Sequence, residues 1–232
     1  MKIDDGLVRI LLLGEGHKYL GRKLCADPRL RTETELKNRI AKAWGAYAKH
    51  RHILANRSIP LQLRMKLFEA TVTPTALFAL PSLTLTATQY ACLARAQRKM
   101  LRNIVGWVRT PDEPWDDTRT RMRTRLRPCW QHTRAWAITA AIRHWTWAGK
   151  VANMLVNRWA RQAAEWQHPA TTTPAPKRPT GRPRTRWDDN IVVFCQTKGF
   201  PNPESWWLTA RQHHTFWNTF ADEYGFVVSE AA

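Results

Sequence analysis

Apolar positions along this chain recur mostly at intervals of three and four residues, the period of one face of an α-helix. Residues 33–56 show it first, with Leu36, Ile40, Trp44, Tyr47 and Leu54. Thr32 and Glu35 stand at the spacing of a capping box, so Thr32 is the expected N-cap and Glu35 the side chain that reaches back. Ser58 is placed to cap a second helix, with Pro60 in its first turn, where a missing N–H is harmless. Leu63, Leu67 and Ala70 give that helix an inner face, and Pro74 ends or kinks it. Thr86 with Gln89 opens a third helix, whose buried stripe is Leu93, Ala96, Met100 and Ile104. Residues 115–166 read as two more helices, broken near Pro128.

Three stretches follow other patterns. Val8 to Leu13 is short, apolar and β-capable; Gly14-Glu15-Gly16 supplies a turn and Lys18-Tyr19-Leu20-Gly21 follows, which predicts a small hairpin. Residues 169–186 hold too much proline for helix or sheet and predict an extended basic linker. Beyond it, Trp206, Trp207, Phe216, Trp217 and Phe220 suffice for a small helical unit. The expected fold is therefore mainly α. It runs from an N-terminal β-hairpin (1–28) through a helical bundle (29–110) and a Trp/Arg-rich helical segment (111–168). The basic linker (169–186) and a small C-terminal helical unit (187–232) complete it.

Composition adds that a core exists and that the surface is cationic. Hydrophobic residues make up 44% of the 232, with 13 Trp, enough to exclude wholesale disorder. The formal net charge is +19, which bears on partners and not on fold. It is unevenly placed: residues 1–112 carry 20 Lys and Arg against 8 Asp and Glu, residues 113–186 carry 15 against 4, and residues 187–232 carry 2 against 6. A polyanion would bind the first two segments and not the third. Cys25, Cys92, Cys129 and Cys195 have no paired spacing, which suits reduced thiols inside a cell. The opening residues do not read as a leader, and no apolar run approaches the roughly 18–20 residues that span a bilayer. An intracellular protein without membrane association is expected.

Candidate chemistry is sparse. Adjacent Asp4 and Asp5 would suit Mg²⁺ in nucleotidyl transfer, but Lys2 stands where an aromatic residue is needed, and Asp-Gly before an apolar run is the usual dress of a turn. Cys129, His132 and His144 fall short of a zinc set, which takes four ligands in two close pairs. After Pro111-Asp112, neither Glu113, Asp116, Asp117 nor Glu165 stands two residues before a Lys, as a metal-dependent nuclease would require. No catalytic residue and no metal ligand is assigned.

Electrostatics and aromatics remain. Arg95, Arg98, Lys99 and Arg102 share a helical face opposite the apolar stripe, and the first helix exposes Lys37, Lys42, Lys49 and Arg51. Few acids interleave with them, so phosphate contact outweighs a merely solvated face. Arg119, Arg121, Arg123, Arg125 and Arg127 alternate strictly, which on a helix distributes charge around most of the cylinder. Trp130, Trp136, Trp145, Trp147, Trp159 and Trp166 are able to stack on bases, although most of them are expected in the core. Thr180 stands where a minor-groove Gly-Arg-Pro hook would have Arg, so Arg182 and Arg184 are expected to contact backbone without reading sequence.

Read in order, these motifs resemble the region after the catalytic palm in LINE-type (non-LTR) retrotransposon reverse transcriptases. His17-Lys18-Tyr19-Leu20-Gly21 looks like the primer-grip strand pair. Arg39-Ile40, Ala43-Trp44 and Leu67 to Pro74 resemble the thumb, and Gln97 to Arg102 its next basic helix. Trp147-Ala148-Gly149-Lys150-Val151-Ala152 is similar to a later Trp-Ala-Gly-His-Val-Ala signature, with Lys150 in the His place. Gly181 to Trp187 matches one near the end, and the final Cys/His knuckle is not seen. The resemblance implies a nucleic-acid-binding C-terminal fragment of an RNA-directed DNA polymerase, inactive by itself. The palm's Tyr/Phe-x-Asp-Asp motif would precede Met1, and Mg²⁺ would belong to that palm, so no cofactor is expected here. Expected partners are template RNA, primer or target DNA, and a palm-containing polypeptide, in the nucleus. The residues assigned to nucleic acid are Lys18, Tyr19, Gly21, Lys42, Lys49, Arg95, Arg98, Lys99, Arg102, Arg119, Arg123, Arg127, Arg182, Arg184 and Arg186. A protein-docking scaffold, a complete enzyme with a concealed metal site and a decayed reading frame are the alternatives.

Overall fold

A computed structural model describes residues 2–3, 6–7, 15–25, 27, 30–165 and 186–230. Among them are eleven α-helices and two short antiparallel hairpins, so the chain is mainly α. No described helix is long and apolar enough to cross a membrane. The chain divides into two compact units: residues 1–80 with 85–137, and residues 81–84 with 138–231. The expected 111–168 segment is thus split between Ala137 and Ile138 and is not a unit of its own.

In the first unit, β1 (Lys2–Ile3) pairs with β2 (Gly6–Leu7), and β3 (Gly16–Tyr19) pairs with β4 (Arg22–Cys25). The hairpin turn differs from the expected one. Gly16 is a paired strand residue opposite Cys25, and the chain reverses at Leu20 and Gly21. Both have positive φ, 44° and 81°, the backbone that lets a two-residue turn follow the strands' twist. Val8 to Leu13, the strand expected before it, lies outside the described residues, as do Asp4 and Asp5.

The helices of this unit are α1 (Arg31–Lys49), α2 (Arg51–Leu54), α3 (Leu61–Leu77), α4 (Ala87–Val105) and α5 (Trp115–Trp130). α1 packs on α3 and β4, and α5 on α4 and α3. The Thr86–Gln89 capping box forms in both directions. The one expected at Thr32 does not: α1 begins two residues earlier, after Leu30. Glu35 instead turns inward, 1% exposed, where it accepts from the Lys23 backbone N–H, from Asn38 Nδ2 and from Arg39 Nε. A buried carboxylate needs such partners more than a helix end needs a cap. Ser58 likewise caps nothing, since α3 starts after Pro60. The α3 core face is Met65, Phe68, Val72 and Ala76, all 0% exposed, while Leu63 is 54% exposed. The helix continues through Pro74 to Leu77.

Arg64 is buried on α3. Its Nη1 donates to the carbonyls of Leu54 (3.2 Å) and Ile104 (2.8 Å), and its Nε to that of Ile59 (2.9 Å). Two of these are C-terminal helix carbonyls, which lack intrahelical partners, so one guanidinium closes the ends of α2 and α4 together. Trp136 completes the unit: it stacks on Phe68 at 5.7 Å and donates from Nε1 to Thr73 Oγ1 at 2.9 Å.

The second unit takes most of α6 (Trp136–Ala152), then α7 (Trp159–Glu165), α8 (Asp189–Thr197), α9 (Trp206–Gln212), α10 (His214–Thr219) and α11 (Ala221–Glu230). Its centre is aromatic. Trp145 and Trp217 stack at 3.8 Å, and each indole donates to the other's backbone carbonyl. Gly149 makes room, because a Cβ there would meet the Trp217 ring at 2.9 Å. His144 is 3% exposed, with Nδ1 2.8 Å from the Tyr224 hydroxyl. Burial pushes its pKa down to about 4, against smaller opposing effects of the Trp187 backbone and Asp188.

Candidate nucleic-acid interface

The strictly alternating arginines of α5 are not spread evenly about a polar cylinder. Thr118, Met122, Leu126 and Cys129 form a buried stripe between them. At about 100° per residue, Arg119, Arg123 and Arg127 fall along one flank of that stripe, and Arg121 and Arg125 along the other. Arg121 is occupied: it binds both oxygens of Glu113 (2.8 and 2.6 Å) and the Val108 carbonyl (2.9 Å). Those bonds, with one from Thr118, draw the Glu113 carboxyl down to a pKa of about 2. Arg121 thereby fastens the loop before α5 and is unavailable to a ligand.

The other flank meets α4. There Arg98, Arg102, Arg119, Arg123 and Arg127 line one cleft of about 340 Å³ with Trp107, Leu126 and Trp130. Two features of α4 bring this about. Its apolar stripe (Leu93, Met100, Ile104, with the buried Gln97) faces the core, which turns Arg95, Arg98, Lys99 and Arg102 outward. Its end at Gly106, with φ of 74°, redirects the chain, and Trp107 lies under the Arg102 guanidinium, 4.6 Å from ring centroid to Cζ. Gln97 holds the far side by donating to the Arg134 carbonyl (2.9 Å) and accepting from the Trp136 N–H (2.7 Å).

Five guanidiniums in one concavity repel one another unless an anion joins them. Among the described residues the ion pair involving any of them is Arg119 Nη1 to Asp116 Oδ1 at 3.8 Å, with the Asp116 side chain 90% exposed. A pair so loose and so wet contributes little. The cleft offers several planar, bidentate donors for phosphate oxygens, a buried leucine and two indoles.

The other assigned residues are placed elsewhere. Lys18 and Tyr19 are exposed on β3. The Gly21 carbonyl accepts from Arg39 Nη2 and from Lys42 Nζ (3.1 Å), so Lys42 is tied to the hairpin. Partial burial, with Arg39 and Lys18 nearby, holds its ammonium below the ordinary lysine pKa. Lys37 is paired with Glu33 at 2.6 Å. Lys49, Arg51 and Arg95 are exposed but do not line the cleft, and Lys99 Nζ sits 5.9 Å from the Trp44 ring centroid. Arg182 and Arg184 lie outside the described residues; Arg186 is exposed in the second unit, its N–H bonded to Asp189 Oδ2.

The tryptophans divide differently from the expectation that most are core. Trp136 and Trp145 are fully buried, Trp147 is intermediate, Trp130 is 38% exposed and Trp159 84% exposed; Trp166 lies outside the described residues. Trp107 was not singled out in the sequence; its signal was the Gly106 that ends the helix beside Arg102. Cys129 points into the core, where burial raises its thiol to a pKa of about 11, while His132 is exposed. The two do not form a ligand pair. All four cysteines are free thiols.

No family model, curated protein or solved structure matches this chain.

Proposed function

We propose that the chain binds nucleic acid through phosphates, and that the α4–α5 cleft is its principal contact. One observation carries this reading: five arginines, drawn from two consecutive helices, line a single concavity with two tryptophans. Packing gathers them there, since the buried stripes of α4 and α5 fix which flank each arginine occupies. Binding would release counterions and so weaken with salt. The side chains around the cleft hold and position an anion, and none is a nucleophile or a general base, so we assign binding and no reaction.

The ordered motifs of the sequence extend the proposal to identity. The chain would correspond to the part of a non-LTR retrotransposon reverse transcriptase that follows the palm, acting on template RNA, primer or target DNA in the nucleus, alongside a palm that supplies Mg²⁺ chemistry. Several motif residues have structural work: Arg39 and Gly21 tie the primer-grip-like hairpin to α1, and Gly149 of the later signature seats Trp217.

The test is a fluorescence-anisotropy titration of the full chain against a labelled primer–template with an unpaired overhang. Replacing Arg98, Arg102, Arg119, Arg123 and Arg127 by Gln should weaken binding by at least about tenfold at physiological salt. Unchanged affinity, with the variant still folded by circular dichroism, would remove the cleft from the account.

A further inference from the structure

We infer that the α4–α5 cleft takes an unpaired nucleotide stretch, with one base stacked on Trp130, and does not lie against intact duplex; the inference rests on the nucleic-acid reading above. Trp130 ends α5, lines the cleft and is 38% exposed. Trp107, across the same cleft, already has the Arg102 guanidinium over its face. Trp130 is the indole left to receive a ring.

Shape and chemistry point the same way. A volume of about 340 Å³ stands at the small end of small-ligand sites, roughly 300–1,000 Å³, the scale of a single nucleotide. Arg119, Arg123 and Arg127 rise toward Trp130 at one per turn, about 6 Å apart along the axis, so a strand laid over them delivers its next base to the indole. In a duplex the bases are stacked on each other and their faces are closed to a side chain. Away from the duplex ends, only an unpaired base has a face to offer. Stacking of that kind ignores base identity, and phosphates are common to both polymers, so DNA and RNA strands should both serve.

Anisotropy titrations of the full chain would use labelled 12-nucleotide DNA and RNA single strands, the blunt DNA duplex and an abasic DNA strand with the same phosphates. Both single strands should bind about tenfold more tightly than the duplex. Trp130→Ala should weaken single-strand binding at least about fivefold, leave duplex and abasic binding unchanged, and be rescued by Trp130→Phe. Equal affinity for strand and duplex, or a Trp130→Ala variant as tight as the parent, overturns the inference. A triple Arg119, Arg123, Arg127→Gln variant separates the two levels. If it weakens binding while Trp130→Ala does not, only the stacked base is wrong; if it leaves binding intact, the nucleic-acid reading falls and this inference with it.

Discussion

Replacing Arg64 by methionine should destabilise the first unit by about 3 kcal/mol. Methionine keeps most of the buried stem but leaves the carbonyls of Leu54, Ile59 and Ile104 without the donors that now reach them at 3.2, 2.9 and 2.8 Å. A buried acceptor stripped of its partner costs about 1–3 kcal/mol, which would sum to several kcal/mol for three. Part is recovered, because the guanidinium itself is desolvated (burial lowers the Arg64 pKa) and because helix-end carbonyls can tilt toward water. Native-state amide hydrogen exchange is the appropriate assay, since it reads α3 and α4 separately from the second unit. Their slowest amides should lose about 3 kcal/mol of protection while those of α6 and α11 keep theirs. A loss below about 1 kcal/mol would mean that the three acceptors are satisfied without Arg64, and the reading of it as the joint clasp of two helix ends would be wrong.

Three further outcomes are expected. Glu35→Ala strips the buried Arg39 of its carboxylate partner and should cost about 3–5 kcal/mol, visible as early proteolytic cleavage in the β3–β4 hairpin; a hairpin as resistant as the parent's would contradict the Glu35 network. Gly149→Ala pushes a methyl to 2.9 Å from the Trp217 ring and should lower the thermal midpoint of the second unit by several degrees, whereas Gly45→Ala on α1, with open space around it, should not lower that of the first. His144 titrates near 4 when folded and near 6.5 when unfolded, so the unfolded chain takes up the proton first. Its stabilising contribution is complete above about pH 6.5 and is lost as pH falls toward 4, by up to about 3 kcal/mol; urea midpoints of the second unit measured from pH 7.5 to 4.5 should show that fall, and His144→Gln should shallow it.

Local signals were legible where nothing distant competed with them. Thr86 and Gln89 made their capping box because Thr86 is exposed, Gln89 is only partly buried and neither has a better partner. Thr32 and Glu35 have the same spacing, yet a strand amide and a buried arginine claimed Glu35. In α3, apolar residues lie on nearly every side, so periodicity could not choose between Leu63, Leu67 and Ala70 and the true face at Met65, Phe68 and Val72. The α5 arginines looked evenly spread because the stripe between them includes a threonine and a cysteine, neither of which reads strongly as core. Arg98, Arg102, Arg119, Arg123 and Arg127 were each named from the sequence, but their convergence depends on α4 docking against α5, a contact between segments about 20 residues apart. Trp107 was missed for the same reason. Arg182 and Arg184, assigned in the basic linker, lie outside the described residues.

Location, and not total charge, is the heart of the account, and a matched-charge comparison tests it. One variant would replace Arg98, Arg119 and Arg123, which line the cleft, by Gln; the other would replace Lys49, Lys66 and Arg125, exposed bases that do not line it. Each loses three positive charges. Single-strand affinity measured across a range of salt should lose about two units of log–log slope in the first variant and keep nearly the parental slope in the second. Equal changes in both would show that the chain binds by its overall charge, with no cleft at the centre of it.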